Sequence, residues 1–138
     1  MTVKTKIGLG AGALVVLFVG IFPDAVVGRV FACQRWRDEL GAIDFSDGIQ
    51  KAEADVIASR YERAVLGSWS ACSGTTTPTL VDGVWRAQIL FGFGGEPTGH
   101  WITVNPISGG VSAPGGPRYA TYASFRRAAL VHAVLYGR

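Results

Sequence analysis

The residues that most often carry chemistry are scarce in this chain. Its 138 residues include two histidines and two cysteines. His100 and His132 fall in different predicted elements, and a lone histidine is more often structural or exposed than catalytic. The sequence contains no G-x-S-x-G, H-E-x-x-H or Walker pattern, so a nucleophile elbow, a helical zinc site and a phosphate-binding loop are not expected. Gly92-Phe93-Gly94-Gly95 leads into Glu96-Pro97 and not into a helix, which removes the amide cradle that a glycine-rich loop needs to hold phosphate. Asp38 and Glu39 adjoin, but neighbouring helical residues do not face each other, so they make a poor acid/base pair. These absences predict a binding protein with no enzymatic activity, no metal and no cofactor.

Charge is also sparse, at 17% of residues against 49% hydrophobic. That balance excludes a disordered polyelectrolyte and a multi-span membrane protein. The net charge of +3 and a pI near 9.1 are too mild for a nucleic-acid partner, and no stretch interleaves basic runs with stacking aromatics. From Pro97 onward there are no acidic residues at all, while Arg118, Arg126, Arg127 and Arg138 are basic. Between Asp38 and Glu62 the acidic residues outnumber the basic ones. Such a dipole either steers a charged partner or is neutralised within the molecule or against lipid headgroups.

The N-terminus is the strongest feature present. Lys4 and Lys6 precede an uncharged apolar run of 16 residues from Ile7 to Phe22, which Pro23 and Asp24 end. Cations before an apolar segment hold the N-terminus in the cytoplasm and send the remainder across. The run is slightly short for a bilayer span of ~17–25 residues and slightly long for a signal-peptide core of ~7–15. Residues 1–28 are therefore a signal peptide cleaved after Val26-Val27-Gly28 or a single retained anchor. Residues 29–138 form one extracytoplasmic domain, in the periplasm or on the outer face of the inner membrane. Cys33 and Cys72 both follow the segment, and in an oxidising compartment an even pair predicts one disulfide. That link would constrain the unfolded chain by up to ~4 kcal/mol in the entropy model. Two buried reduced thiols are the alternative.

Past residue 28 the pattern reads helix, helix, strands, helix. Arg29–Leu40 sets Val30, Cys33, Trp36 and Leu40 at helical spacing, with Gly41 as a stop. A second helix runs from about Asp47 to Leu66, capped by Asp44 or Ser46, with Ile49, Ala52, Val56, Ala64 and Val65 inward. Lys51, Glu53, Asp55, Arg60, Glu62 and Arg63 form its solvated face. Asp82-Gly83 between apolar runs marks a hairpin, since both turn residues tolerate positive φ. Trp85, Ala87, Ile89, Phe91 and Phe93 alternate onto one face of the second strand, and Val84, Arg86, Gln88 and Leu90 onto the other. A third strand covers His100–Asn105, and a short fourth lies at Val111. The tail, about Thr121–Tyr136, is a helix with Tyr122, Phe125, Ala129 and Leu135 inward. The expected fold is α+β, with helices packed on an antiparallel sheet of three or four strands and a C-terminal helix.

The helix ending near Gly67, the stretch Leu80-Val81-Asp82-Gly83-Val84-Trp85-Arg86-Ala87 and the later Trp101-Ile102-Thr103-Val104-Asn105-Pro106-Ile107-Ser108-Gly109-Gly110-Val111 together resemble small bacterial immunity proteins of NTF2-like fold. They are also similar to PepSY-type extracytoplasmic modules. The resemblance covers roughly Ser46 to Val111. The sequence departs from the pattern at Asn105-Pro106, where an acidic residue is usual, and in the helical tail after Tyr119. The resemblance implies direct contact with a toxin that blocks it, or, for the PepSY type, modulation of a protease or membrane complex. It implies no catalytic residues. A protein partner, with membrane contact through the N-terminal segment if that is uncleaved, is expected. Trp85 lies on the apolar face and reads as core. Trp101, out of phase with Ile102 and Val104, is the candidate surface anchor, with His100 beside it and Arg126 and Arg127 as the candidate basic contacts.

Overall fold

Ala32, Trp36 and Leu40 recur every fourth residue, which places them one above another on a single helical stripe. In the computed structural model they are buried on helix α1 (Pro23–Gly41). The structure describes residues 23–66, 73–92 and 94–136. The apolar run Ile7–Phe22, Cys72 and Phe93 lie outside them. Helix α1 passes through residues 28 and 29 without a break, so the expected boundary between leader and domain falls inside a helix. Val30, expected on the buried face, points outward at 63% exposure, and Ala32 takes its place.

Helix α2 (Lys51–Tyr61) starts four residues later than the spacing suggests and ends in one π-helical turn, Glu62–Leu66. Its N-cap is Gln50, not Asp44 or Ser46. The Glu53 carboxylate accepts the Gln50 amide at 2.9 Å and the Asp44 amide at 2.8 Å, covering donors that the helix start leaves open. Asp44 instead turns the preceding loop, accepting the Ser46 amide and hydroxyl, each at 2.9 Å. Those bonds hold its carboxyl below the usual range, the Ser46 amide contributing most. The inward face is Ala54, Ile57, Ala58 and Tyr61, and Ala52 is exposed.

Strands β1 (Gly74–Thr75), β2 (Thr79–Val81), β3 (Val84–Phe91), β4 (Glu96–Val104) and β5 (Val111–Ser112) form one curled antiparallel sheet. Both β1 and β2 pair along β3, which pairs with β4, which pairs with β5. The Asp82-Gly83 turn forms as expected, with φ of 52° and 75°. Strand β4 begins at Glu96 and not at His100, because the glycine-rich link closes a tight turn with Gly95 N–H bonded to Gly92 O at 3.2 Å. A register shift between Gln88 and Leu90 ends the alternation beyond Ile89. Phe91, expected inward, is accordingly 59% exposed.

The turn after β4 is held by Asn105, whose Oδ1 accepts the amides of Ile107 at 2.8 Å and Ser108 at 2.9 Å. Beyond it the chain passes hard against the start of the last helix. A Cβ at Gly110 would lie 2.6 Å from the Ala120 carbonyl oxygen, so only glycine fits there. Helix α3 (Tyr122–Tyr136) buries Tyr122, Phe125, Ala129 and Ala133. Leu135, expected inward, is exposed, since the four-residue stripe continues through Ala133. Helices α1 and α3 run antiparallel: the Tyr122 hydroxyl donates to Leu40 O, and the Trp36 ring stacks on that of His132 at 6.0 Å and 18°. The core lies between the three helices and one sheet face, formed by Ala87, Ile102, Val104 and Val111. Helices on one face of an antiparallel sheet make the α+β fold that the sequence pattern predicts.

Candidate binding surface

Residues directly opposite each other in adjacent strands share a sheet face. Thr79 and Thr103 both pair with Arg86, Gln88 pairs with Trp101, and Ser112 pairs with Thr103. These six side chains therefore occupy the face turned away from the core residues. The period-two pattern of β3 carries this split: Trp85 and Ala87 face the helices while Arg86 and Gln88 face outward. The Trp85 indole N–H donates to Ile49 O at 2.7 Å, which ties its polar edge inside.

The outward face combines an aromatic, a cation and hydroxyls. Trp101 is 40% exposed. The Arg86 guanidinium lies 3.6 Å from the Asp82 carboxylate, and its Nε is buried without a hydrogen-bond partner among the described residues. The Thr103 hydroxyl is 3.1 Å from that of Ser112 and 3.2 Å from the Ser112 carbonyl oxygen. At the β5 edge the face runs into a shallow depression of about 170 Å³, lined by Thr103, Asn105, Ser108, Ser112, Arg118 and Tyr119. Such a surface offers a ring to bury and several hydrogen-bonding groups to orient a partner.

The other expected site residues are placed apart from it. His100 is exposed next to Trp101 but opposite in phase, and its amide donates to Thr98 Oγ1 at 3.2 Å. Arg126 and Arg127 belong to α3, on the helical layer. Arg126 is half-buried and reaches toward Gly41, whereas Arg127 is exposed. Cys33 is half-buried on α1, and its expected partner Cys72 lies outside the described residues.

A polar seam between the helices escaped the sequence pattern. The Glu39 carboxylate accepts Arg60 Nε at 2.7 Å and also Nη2, and the guanidinium carbon sits 4.8 Å over the Trp36 ring. The His132 ring that stacks on Trp36 is 4.6 Å from that of Tyr136. Glu39 and Arg60 each read as solvated helix residues, and their separation of 21 positions hides the pairing. Glu62 also departs from its expected solvated face. It is 2% exposed, and its Oε1 has no hydrogen-bond partner among the described residues. The π-helical turn that begins at Glu62 rotates the following side chains out of α-helical phase, which a period of 3.6 does not anticipate.

No protein-family model, curated protein or solved structure matches the chain.

Proposed function

We propose that this chain is an extracytoplasmic binding protein of the immunity type, held in the cell envelope, which neutralises a toxin by direct contact through the outer sheet face. The observation that carries the reading is Trp101, held half-open on a β-strand face whose reverse side is packed against the helices. A large ring on a rigid element loses little conformational freedom when it is buried by a partner, which is why aromatics and arginines dominate binding energies. Arg86 shares its sheet face, Arg118 lines the depression at the β5 edge, and Gln88, Thr103 and Ser112 supply donors and acceptors. The N-terminal cations and apolar run support export. The protein acts by occupying surface, so no single ionisable side chain is essential to it.

The test is a challenge assay in cells that lack the protein and express the toxin encoded beside its gene, with recovered complex measured alongside. The intact chain protects. Trp101→Ala loses protection and weakens binding by about 2 kcal/mol, roughly 30-fold, with an unchanged thermal melt. His100→Ala and Arg127→Ala keep both. A histidine variant that folds normally yet abolishes protection overturns the reading in favour of a site built on that histidine.

A further inference from the structure

The depression at the β5 edge is rich in hydrogen-bond donors and holds a cation without a counter-charge. Apart from Val84, every described residue of its wall lies between Thr103 and Ala120, inside the stretch from Pro97 onward that contains no Asp or Glu. Arg118 is an exposed wall residue and makes no ion pair among the described residues. Helix α3 starts at Tyr122, two positions after Ala120 of the wall, and has no acidic residue in its first turn. The positive end of its dipole is not neutralised there and adds to the charge of Arg118.

The polar groups of the wall already use their acceptors within the fold. Asn105 Oδ1 takes the amides of Ile107 and Ser108, so the side-chain end left over is Nδ2, which only donates. Ser108 Oγ accepts the Gly110 amide at 3.2 Å, and its own proton has no acceptor among the described residues. The Ser108 carbonyl accepts the Tyr122 amide at 3.0 Å, and the Val111 and Tyr119 backbones close on each other through two bonds of 2.9 Å. A guanidinium, an amide NH2 and a hydroxyl are thus left with protons for an oxyanion. About 170 Å³ admits a carboxylate together with several waters, each of which takes ~30 Å³ in the liquid.

The surroundings identify where that oxyanion comes from. Thr103 belongs both to the depression and to the outer sheet face, where Trp101 lies two residues away, ~7 Å along the strand. Arg86 pairs with Thr103 and adds a second cation. A free ion engages only the depression. An extended protein segment with an apolar side chain two residues from a carboxylate covers the ring and fills the depression together.

We propose that the depression takes an Asp or Glu carboxylate of the protein partner, while a neighbouring apolar side chain of the same segment covers Trp101. Arg118 pairs with the charge, and Asn105 Nδ2 and Ser108 Oγ orient it. This inference rests on the contact reading above and gives the chemistry of the surface that the partner presents.

The full chain in detergent micelles is titrated with acetyl-Leu-Thr-Asp-Gly-amide while NMR follows the Arg118 Nε–H and Asn105 Nδ2–H signals. Both signals are expected to move. Affinity is expected to fall about tenfold or more when Asn replaces the peptide's Asp, and likewise in Arg118→Gln and Asn105→Asp. Asn105→Asp keeps an oxygen for the two turn amides and exchanges the donor for a like charge, and thermal melts confirm that both variants fold. No movement, or equal binding by the Asn peptide or by Arg118→Gln, overturns the carboxylate site. Methyl phosphate that binds tighter and displaces the Asp peptide overturns it in favour of a phosphate ligand. With the toxin, Arg118→Gln is expected to weaken the recovered complex about tenfold. An unchanged complex beside intact peptide binding overturns the pocket's part in partner contact. A chain that binds the peptide and fails to protect overturns the toxin reading and leaves the carboxylate site standing.

Discussion

The Tyr122 hydroxyl donates to the Leu40 carbonyl oxygen, joining the first residue of α3 to the last turn of α1 across 82 positions of sequence. The carbonyls of a final helical turn lack intrahelical donors, and here one is satisfied by a buried phenol. Burial pushes Tyr122 up to about 12 from an ordinary 10.0, with Glu53 adding to the shift and the Arg126 charge opposing it. Burial raises Tyr61 as well, whose hydroxyl donates to Pro117 O at 2.7 Å.

A raised folded-state pKa means that the native protein holds this proton more tightly than the unfolded chain does. The associated stability is complete below pH 10 and is lost as the pH rises toward 12. Urea midpoints should therefore be level up to pH 10.0 and fall above it. Tyr122→Phe should cost about 1 kcal/mol at neutral pH and flatten the alkaline fall. An equally steep fall in the variant would place its origin elsewhere.

Arg60 is expected to stabilise the helical layer by shape as much as by charge. Its guanidinium bonds Glu39 through two nitrogens while lying over Trp36. Lysine cannot make the forked contact or stack as a plane. Arg60→Lys and Arg60→Ala should both destabilise, by about 1–3 kcal/mol, with lysine recovering less than half of the loss. Denaturant titration of the two variants, together with Glu39→Gln, separates the pair from the stacking.

Glu62 is buried with one carboxylate oxygen unpartnered among the described residues. Replacing it by an apolar residue of similar length removes a desolvated polar group and keeps the packing. Glu62→Met should raise the urea midpoint, by the equivalent of about 1–3 kcal/mol. A lowered midpoint in a variant with a native circular dichroism spectrum would count against this account.

Much of the fold was legible where local chemistry and tertiary need agree. Asp82-Gly83 encodes its turn through two residues that accept positive φ, and Trp85, Ala87 and Ile89 alternate because a strand with one covered face requires it. The same alternation already separated Arg86 and Gln88 from the core, and Trp101 from Ile102 and Val104. Helix phase was less secure. Helix α2 starts at Lys51, where Glu53 caps the Gln50 amide. Its buried face takes Ala54 and Ile57 in place of Ala52, because several faces of a ~100° periodic pattern offer apolar residues and packing selects one.

The sequence by itself determined the order of helices and the central hairpin, the split of β3 and β4 into two faces, and the apolar N-terminal run with its cations. Each depends on neighbours within a few positions, where propensity and period act directly. Only the tertiary structure decided that Arg60 meets Glu39 and Trp36, that Glu62 is enclosed, that Arg126 and Arg127 stand on the helical layer apart from Trp101, and that Val30 of α1 points away from the core. Those facts follow from which helix packs against which, and a charged or apolar side chain reads the same in sequence whether its neighbour is water or another helix.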